Sequence, residues 1–182
     1  MSCFLLRGTG ILLYLFMLSI AAALIIQHPR FIGSVNEGRI QLYLKELDLD
    51  ENYIVLHNIT LPTLNGQTTQ IDHIILSIYG IFVIEAKSYK SFGEKTKQYW
   101  ITMLHHLNGQ IEVLERLLGS NHYTPIVILN PISSLNNFPL PLYPTQVTYD
   151  YRLMRVIYQF EQRIIPKEEL VKLEYILLKN MI

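Results

Sequence analysis

The sequence predicts an α/β or α+β layer fold. Apolar runs bounded by turn residues alternate with runs at helical spacing, in the order helix, three strands, helix, strand, edge strand and helices. The runs 69–77 and 81–87 are apolar on both faces, which is typical of interior strands that are covered on both sides. At 182 residues, the chain has room for one such domain and an appendage.

The first helix of this domain is predicted to begin at Ser34. Ser34 and Glu37 have the spacing of a capping box, in which each side chain accepts a hydrogen bond from the backbone N–H of the other residue. Ile40, Leu44 and Leu47 then give one apolar stripe at helical spacing. Because Glu37 lies on the same stripe, we expect it to point toward the sheet unless it serves as a cap.

The strands are predicted from the turns that separate them. The runs 53–61 and 69–77 are expected to pair as a hairpin across Asn65-Gly66, and a third strand at 81–87 follows Tyr79-Gly80. The remaining elements are predicted to be a charged loop at 88–100, a helix at 107–118, a strand at 124–130, a loop at 131–144, an edge strand at 145–149, and helices near 150–163 and 167–180.

An uncharged, apolar segment precedes the domain. The 22 residues between Arg7 and Arg30 contain no Lys, Arg, Asp or Glu, which is enough for a helix to cross a hydrocarbon core. A cleaved signal peptide is the alternative, but the apolar run continues past the small residues at 21–23. Residues 8–29 are therefore predicted to be a single-pass transmembrane helix.

More basic residues follow this segment than precede it, which favours a cytoplasmic location for the C-terminal part of the chain. The predicted division is an anchor and linker at 1–30, a domain at 31–150, and C-terminal helices at 151–182 that pack on it. Residues 31–182 hold 13 Lys and Arg against 15 Asp and Glu. This balance excludes a polybasic nucleic-acid coat, so tight DNA binding would need a local patch, a homo-oligomer or a partner.

Three charged residues lie within the apolar strands. If Tyr79-Gly80 is a two-residue turn, Asp72 lies opposite Lys87, and Glu85 lies diagonal to Asp72 on the same face. Burying these charges without compensation costs several kcal/mol. They form either an ion-pair network or a site in which both carboxylates hold a divalent cation such as Mg²⁺ or Mn²⁺.

The histidines give no comparable signal. His73 alternates away from Asp72 and is expected to be buried and hydrogen-bonded on the other side of the sheet. His105 and His106 are adjacent, so both cannot face one ion from a helix, and no zinc-ligand spacing is present.

Several segments resemble the nuclease-related domain, which is itself similar to the PD-(D/E)xK endonuclease superfamily. They are GSVNEG at 33–38, QIDHIILSIYGIFVIEAKSY at 70–89, and Trp100. The resemblance covers about residues 33–130 and implies a restriction-endonuclease-like fold, with a mixed central sheet flanked by helices.

The resemblance also implies roles for individual residues. Asp72 matches the metal-binding aspartate of the superfamily, and Glu85 and Lys87 match its E-x-K motif. Glu37 matches the acidic residue on the helix before the sheet, and Gln70 matches the glutamine before IDH. The implied chemistry is hydrolysis at a phosphodiester, with a cation on Asp72 and Glu85 that activates water and with Lys87 as an orienting or proton-accepting group.

The sequence departs from the family pattern at two places. Asn36 stands where the family has glycine, and the Asn-Pro-x-x-Gln segment is present only as Asn108-Gly109-Gln110. The second departure leaves Gln110 outside the set of expected site residues.

The segment after the third strand has an excess of lysine. Residues 86–98 contain only one acidic residue and four lysines, and Trp100 follows. The lysines are Lys87, Lys90, Lys95 and Lys97. Such a segment either contacts the phosphates of a nucleic acid through its lysines and stacks bases on its aromatic side chain, or it is a solvated loop. The overall prediction is a membrane-anchored, Mg²⁺- or Mn²⁺-dependent nuclease acting on DNA. The alternatives are a non-catalytic module of the same fold that binds nucleic acid or a protein partner at the membrane, and a structural membrane protein.

Overall fold

The structure, a computed structural model, describes residues 13–23, 29–87, 95–119, 122–129 and 144–182. The helices are α1 (residues 13–23), α2 (Pro29–Leu44), α3 (Lys95–Leu118), α4 (Leu153–Ile157) and α5 (Lys167–Asn180). The strands are β1 (Tyr53–Pro62), β2 (Thr68–Ser77), β3 (Gly80–Lys87), β4 (Tyr123–Leu129) and β5 (Gln146–Tyr149). Short 3₁₀ turns cover Leu47–Leu49 and Asp150–Arg152.

The five strands form one mixed sheet in the order β1-β2-β3-β4-β5. The first three strands are antiparallel neighbours, whereas β3, β4 and β5 run parallel. Parallel strands need a crossover, and α3 lies between β3 and β4 in the chain. The predicted mixed sheet with flanking helices, the β1–β2 hairpin and the edge strand β5 are therefore confirmed.

Each face of the sheet carries a separate apolar core. The first core joins the sheet to α3 and α5, and it includes Leu56, Ile74, Leu76, Ile81, Val83, Trp100, Leu107, Leu114, Leu170, Leu173 and Leu177. The second core joins the sheet to α2 and α4, and it includes Ile40, Leu44, Leu47, Tyr53, Ile75, Phe82, Ile84, Ile126, Ile128, Leu153 and Ile157. Strands that are covered on both faces explain the near-continuous apolar runs of β2, β3 and β4.

Two helices begin earlier than predicted. Helix α2 begins at Pro29, so Ser34 lies inside it and the predicted capping box is wrong. Proline is well suited to the start of a helix because its missing N–H would have no partner there. Helix α3 begins at Lys95, which overturns the predicted loop at 95–100, whereas 88–94 lie outside the described residues.

The other long predicted segments have mixed outcomes. The helix near 150–163 is reduced to the turn at Asp150–Arg152 and to α4, and irregular backbone follows as far as Pro166. The predicted loop at 131–144 lies outside the described residues except for Pro144. The side chains of α1 are all exposed, and none of the helices that the structure describes is both long and apolar enough to span a membrane.

Candidate active site

The pairing of β2 with β3 determines which charged residues meet. Ser77 lies opposite Gly80 and His73 lies opposite Ile84, so the turn residues are Ile78 and Tyr79. The predicted turn at Tyr79-Gly80 is therefore wrong, and the pairing is shifted by two residues. Continued past the last pair, this register places Asp72 beside Glu85 rather than opposite Lys87.

Contacts at the turn explain this register. The Ser77 hydroxyl donates to the Gly80 carbonyl (2.8 Å) and accepts from the Tyr79 N–H (3.1 Å). Gly80 has a φ of +135°, and a Cβ there would lie 3.2 Å from the His122 carbonyl oxygen. Glycine is thus needed directly after the turn, where the chain approaches the residue preceding β4.

Regular pairing of β2 with β3 ends at Asp72. The Ala86 N–H donates to Asp72 Oδ2 at 2.9 Å, so a side chain takes a backbone hydrogen bond at this point. On the other side of β2, Asn58 has a φ of +54° and is missing from the β1–β2 pairs, although His57 pairs with His73 and Ile59 with Ile71. Both neighbours of β2 are therefore irregular where Asp72 lies.

The side chains of β1 and β2 also change their alternation here. Ile59 and Ile71 face the first core, as do Leu56 and Ile74 on the other side of the irregular position. Since residues two apart share a face of a regular strand, this arrangement needs an interruption in both strands. The interruption frees the Asp72 side chain from the apolar packing and lets it reach the backbone of β3.

Helix α3 contributes a third polar residue. Gln110 is fully buried, and its Nε2 donates to the backbone carbonyl of Gln70 at 2.8 Å and to Glu85 Oε2 at 3.2 Å. Gln110 therefore bridges β2 and β3 where they separate. Glu85 itself is only 2% exposed, and it continues the β3 residues Ile81 and Val83 that face α3.

The Gln110 amide has a defined orientation. Both the Gln70 carbonyl and the Glu85 carboxylate are acceptors, so the amide nitrogen must face them. The third close contact of Gln110 Nε2 is His106 Nε2, at 3.0 Å. Gln110 Oε1 is buried and finds no hydrogen-bond partner in the part of the chain that the structure describes. An acceptor oxygen thus lies beside Glu85 with capacity for a further donor or a cation.

Comparison with known proteins identifies the chain. The profile of the nuclease-related domain family matches residues 32–136, which is more than half of the sequence. This chain belongs to the nuclease-related domain family. The resemblance seen in the sequence is thereby confirmed for the segment that contains Asp72, Glu85 and Gln110.

One curated relative and one solved structure are also similar to parts of the chain. An uncharacterized protein of Bacillus anthracis is 39% identical over 74 residues, which are 40% of this chain and only 34% of that protein. A solved structure of a protein of unknown function, AF1548, aligns with 75% of this chain and 66% of its own at 11% identity. Its TM-score of 0.34 is too low for an argument about fold or site.

Asp72 and Glu85 are the residues that could hold a divalent cation. Both offer carboxylate oxygens, the hard ligands that Mg²⁺ and Mn²⁺ take, with water or phosphate in the remaining positions. Across the described ranges, no group of three or more His, Cys, Asp or Glu side chains could hold a metal ion.

The other predicted site residues are dispersed. Glu37 is half-buried on the helix face that carries Ile40 and Leu44, and it makes no hydrogen bond or ion pair within the described ranges. Gln70 is exposed, and its side chain contacts Asn58 Oδ1 at 3.4 Å. Trp100 is 1% exposed in the first core, so the structure places it among apolar side chains rather than on a surface.

The side chains of the predicted lysines are not among the described parts of the structure. Lys87 is the last residue of β3 and pairs with Leu129, while its side chain lies outside the described part of the molecule. Lys90 lies wholly outside it. Lys95 and Lys97 lie in the first turn of α3, again without a described side chain.

A histidine pair lies next to Asp72 along β2. His57 Nδ1 and His73 Nδ1 are 2.8 Å apart, and His73 is fully buried in agreement with the prediction. Burial, followed by the nearby His57 charge, lowers the pKa of His73 from 6.5 to about 4. His73 is therefore neutral at physiological pH.

Sequence reasoning missed three residues of this region. Gln110 had a detectable signal, since it occupies a core position in the helical stripe of Trp100, Leu107 and Leu114. A buried glutamine in such a stripe needs a polar partner on the sheet. His106 could have been found from Gln110, because a residue four positions earlier on a helix lies beside it. The left-handed backbone of Asn58 left no signal in the sequence, except that asparagine tolerates this conformation.

Proposed function

We propose that this protein is a metal-dependent nuclease that hydrolyses phosphodiester bonds in DNA, with Mg²⁺ or Mn²⁺ as its cofactor. The observation that carries the proposal is the position of Asp72 and Glu85, on adjacent strands at the point where side-chain bonds replace backbone pairing. Membership of the nuclease-related domain family supports the same assignment. Carboxylates on adjacent strands supply the hard oxygen ligands that a divalent cation such as Mg²⁺ takes.

Each residue has a distinct task in this proposal. Asp72 and Glu85 hold the cation, and Gln110 fixes the Glu85 carboxylate through its amide N–H. The cation, when bound, supplies charge to the phosphate and makes water more acidic. Lys87 follows Glu85 by two residues and is assigned to neutralise charge that develops on the phosphate. Glu37 is given only an accessory role, because its helix α2 packs on the face of the sheet opposite to the one that Glu85 faces.

The order of the elements supports a restriction-endonuclease-like arrangement in residues 31–150. A helix precedes three antiparallel strands, the aspartate lies on the second strand and the glutamate on the third, and a helix then leads to a parallel strand. Residues 151–182 complete the first core through α5. We therefore treat 31–182 as the catalytic part of the chain.

The start of α3 is the surface that we assign to nucleic acid. Lys95 and Lys97 lie in its first turn, which has no acidic residue, and the N-terminus of a helix carries partial positive charge. Together with Lys90 these residues favour phosphate contacts. Trp100 is left out of this surface because it is buried. Residues 31–182 have a net charge of −2, so a homo-oligomer or partner would strengthen DNA binding.

We propose residues 8–29 as a single-pass membrane anchor, with the nuclease domain in the cytoplasm. The support is the 22-residue stretch without charge and the exposed side chains of α1. Fractionation of cells that express the protein tests this. The full chain should remain with membranes after high-salt washing, and deletion of 8–29 should release it. Recovery of the full chain in the supernatant would reject the anchor.

The catalytic proposal is tested with the full chain purified in detergent. Mn²⁺ binding is measured by calorimetry, and nicking of supercoiled plasmid is measured with Mg²⁺ or Mn²⁺. Asp72→Asn and Glu85→Gln keep the shape of each side chain and should lower cation affinity and nicking by roughly 100-fold. Glu115→Gln is the matched control, because Glu115 is an exposed acid on α3 and should leave both unchanged.

The outcomes separate the possible functions. Nicking that depends on both carboxylates supports the nuclease. Absence of Mn²⁺ binding rejects it. Binding of Mn²⁺ and DNA without cleavage favours the non-catalytic module instead.

A further inference from the structure

We propose that His106 is a positioning residue of this site, which sets how strongly the Gln110 amide engages the Glu85 carboxylate. The inference rests on the proposed cation site at Asp72 and Glu85. Its starting point is the contact between His106 Nε2 and Gln110 Nε2, at 3.0 Å.

The amide of Gln110 has more acceptors than hydrogens. Its nitrogen lies 2.8 Å from the Gln70 carbonyl oxygen, 3.0 Å from His106 Nε2 and 3.2 Å from Glu85 Oε2. An amide nitrogen carries two hydrogens. The shortest contact takes one of them, so His106 and Glu85 share the other.

The contact also defines the form of His106. The Gln110 nitrogen can only donate, so His106 Nε2 accepts and the proton of the neutral ring lies on Nδ1. The four-residue spacing on α3 holds the two side chains next to each other. His106 is exposed while Gln110 is fully buried, so the imidazole closes the solvent side of a hydrogen-bonded chain that ends at Glu85.

Sharing one hydrogen weakens the hold of Gln110 on Glu85. Without an acceptor at position 106, that N–H turns wholly to Glu85 Oε2. A stronger hydrogen bond to this oxygen competes with a cation for the same lone pairs. His106 therefore keeps the Glu85 carboxylate oriented by Gln110 yet available to the cation.

Two substitutions at one position separate this role from packing. His106→Leu fills similar space without an acceptor, and we expect it to weaken Mn²⁺ binding by roughly 3- to 10-fold, the range of one hydrogen bond. His106→Gln places a carbonyl oxygen near the original Nε2 and should restore most of the affinity. His105→Leu is the matched control, because the adjacent His105 is exposed and makes no hydrogen bond among the described residues.

The experiment has two readouts on the full chain in detergent. Calorimetry gives the Mn²⁺ affinity, and the side-chain amide resonances of Gln110, assigned by their loss in Gln110→Met, report the hydrogen bond in metal-free protein. His106→Leu should shift these resonances, His106→Gln should return them toward the wild-type position, and His105→Leu should leave them unmoved.

The two readouts distinguish failure of this inference from failure of the proposed function. Wild-type protein that binds no Mn²⁺ overturns both the proposed function and the role of His106 in it, even when the resonances shift as expected. Wild-type protein that binds Mn²⁺ normally, with the Leu variants at 105 and 106 alike in affinity and resonances, overturns only the role of His106. Loss of affinity in His106→Leu with rescue by His106→Gln supports it.

Discussion

At the scale of single residues, polar side chains replace the backbone pairing that β2 and β3 lose. Asp72 accepts the Ala86 N–H, and Gln110 donates to the Gln70 carbonyl. Buried backbone groups need such partners, so these side chains have a structural task in addition to the proposed chemical one. This is the reason to test Asp72 as Asn, which keeps an oxygen for the Ala86 N–H, rather than as Ala.

His73 should make the stability of the fold depend on pH. The unfolded chain binds a proton on this histidine from about pH 6.5, and the folded chain does so only near its lowered pKa of about 4. Between these values the unfolded state binds more protons, so stability is fully present above pH 6.5 and falls on acidification. The maximal loss is about 3 kcal/mol. Urea unfolding at several pH values measures it.

A matched pair of variants isolates this effect. His73→Phe removes the titrating group from the buried position and should flatten the decline between pH 6.5 and 4. His105→Gln removes an exposed histidine and should leave the decline as it is. An unchanged slope in His73→Phe would assign the acid sensitivity to other groups.

Arg39 should stabilise the fold through a buried carboxylate. Its Nη2 lies 2.9 Å from Asp150 Oδ2, and the Asp150 side chain is only 3% exposed while Arg39 is 45% exposed. Arg39→Ala removes the cation beside the buried Asp150 Oδ2, while Oδ1 keeps the Tyr151 N–H, and it should cost about 1–3 kcal/mol of unfolding free energy. The exposed Arg155→Ala is the control for loss of a surface cation. If adding Asp150→Asn to Arg39→Ala recovers none of the loss, the ion pair is not its source.

At the scale of secondary-structure elements, β1 carries the deformation that accompanies the site. Asn58 has a φ of +54° between two regular pairs of the β1–β2 ladder. Asparagine tolerates this left-handed conformation, and a β-branched residue does not. The deformation lies beside Asp72, so a change in the backbone at Asn58 can move Asp72 even though Asn58 itself is not a proposed ligand.

Substitution of Asn58 tests whether this residue has a left-handed backbone conformation. Asn58→Val should cost about 1–2 kcal/mol, and Asn58→Gly should be close to neutral, because only valine is strained at this φ. Thr60→Val is the control, since Thr60 lies in the regular part of the same strand. Thermal unfolding compares the three variants. Equal stability of the Val and Gly variants at 58 would contradict a left-handed Asn58.

The elements were more predictable than their register. Apolar periodicity located β1 to β4 and α5, because covered strands and an amphipathic helix leave direct patterns in the sequence. Apolar periodicity did not determine the β2–β3 register. The turn is fixed by hydrogen bonds of the Ser77 hydroxyl and by the Ile78 carbonyl, which accepts from the N–H groups of Ile164 and Ile165. These tertiary contacts overrode the local preference for a Tyr79-Gly80 turn.

The same distinction applies to the site. Asp72 and Glu85 were identified because carboxylates in apolar strands need a reason, and a two-residue shift preserves their proximity. The contacts of Gln110 and His106 depend on how α3 packs over β3, which periodicity does not specify. The early start of α3 also changed the setting of Lys95 and Lys97, from a loop to a helix terminus.

At the scale of the whole molecule, the proposed site lies in a sheet enclosed by two cores. The first core holds α3 and α5, and the second holds α2 and α4. Glu85 belongs to the central part of this arrangement, where it is buried beside the Gln110 amide. A cation on Asp72 and Glu85 would bind only the folded protein, because folding brings these two strands together. Binding of a cation at Asp72 and Glu85 should therefore stabilise the entire fold.

The size of this stabilisation follows from linkage. A ligand that binds only the folded state adds about 2.7 kcal/mol at a concentration 100 times its dissociation constant. Mn²⁺ should thus raise the thermal unfolding midpoint of the wild-type chain, and a chelator should reverse the shift. Glu85→Gln should abolish the response, while Glu115→Gln should retain it. A Mn²⁺-induced shift that persists in Glu85→Gln would place the cation elsewhere, because a bound ion cannot stabilise the fold through a ligand that is no longer present.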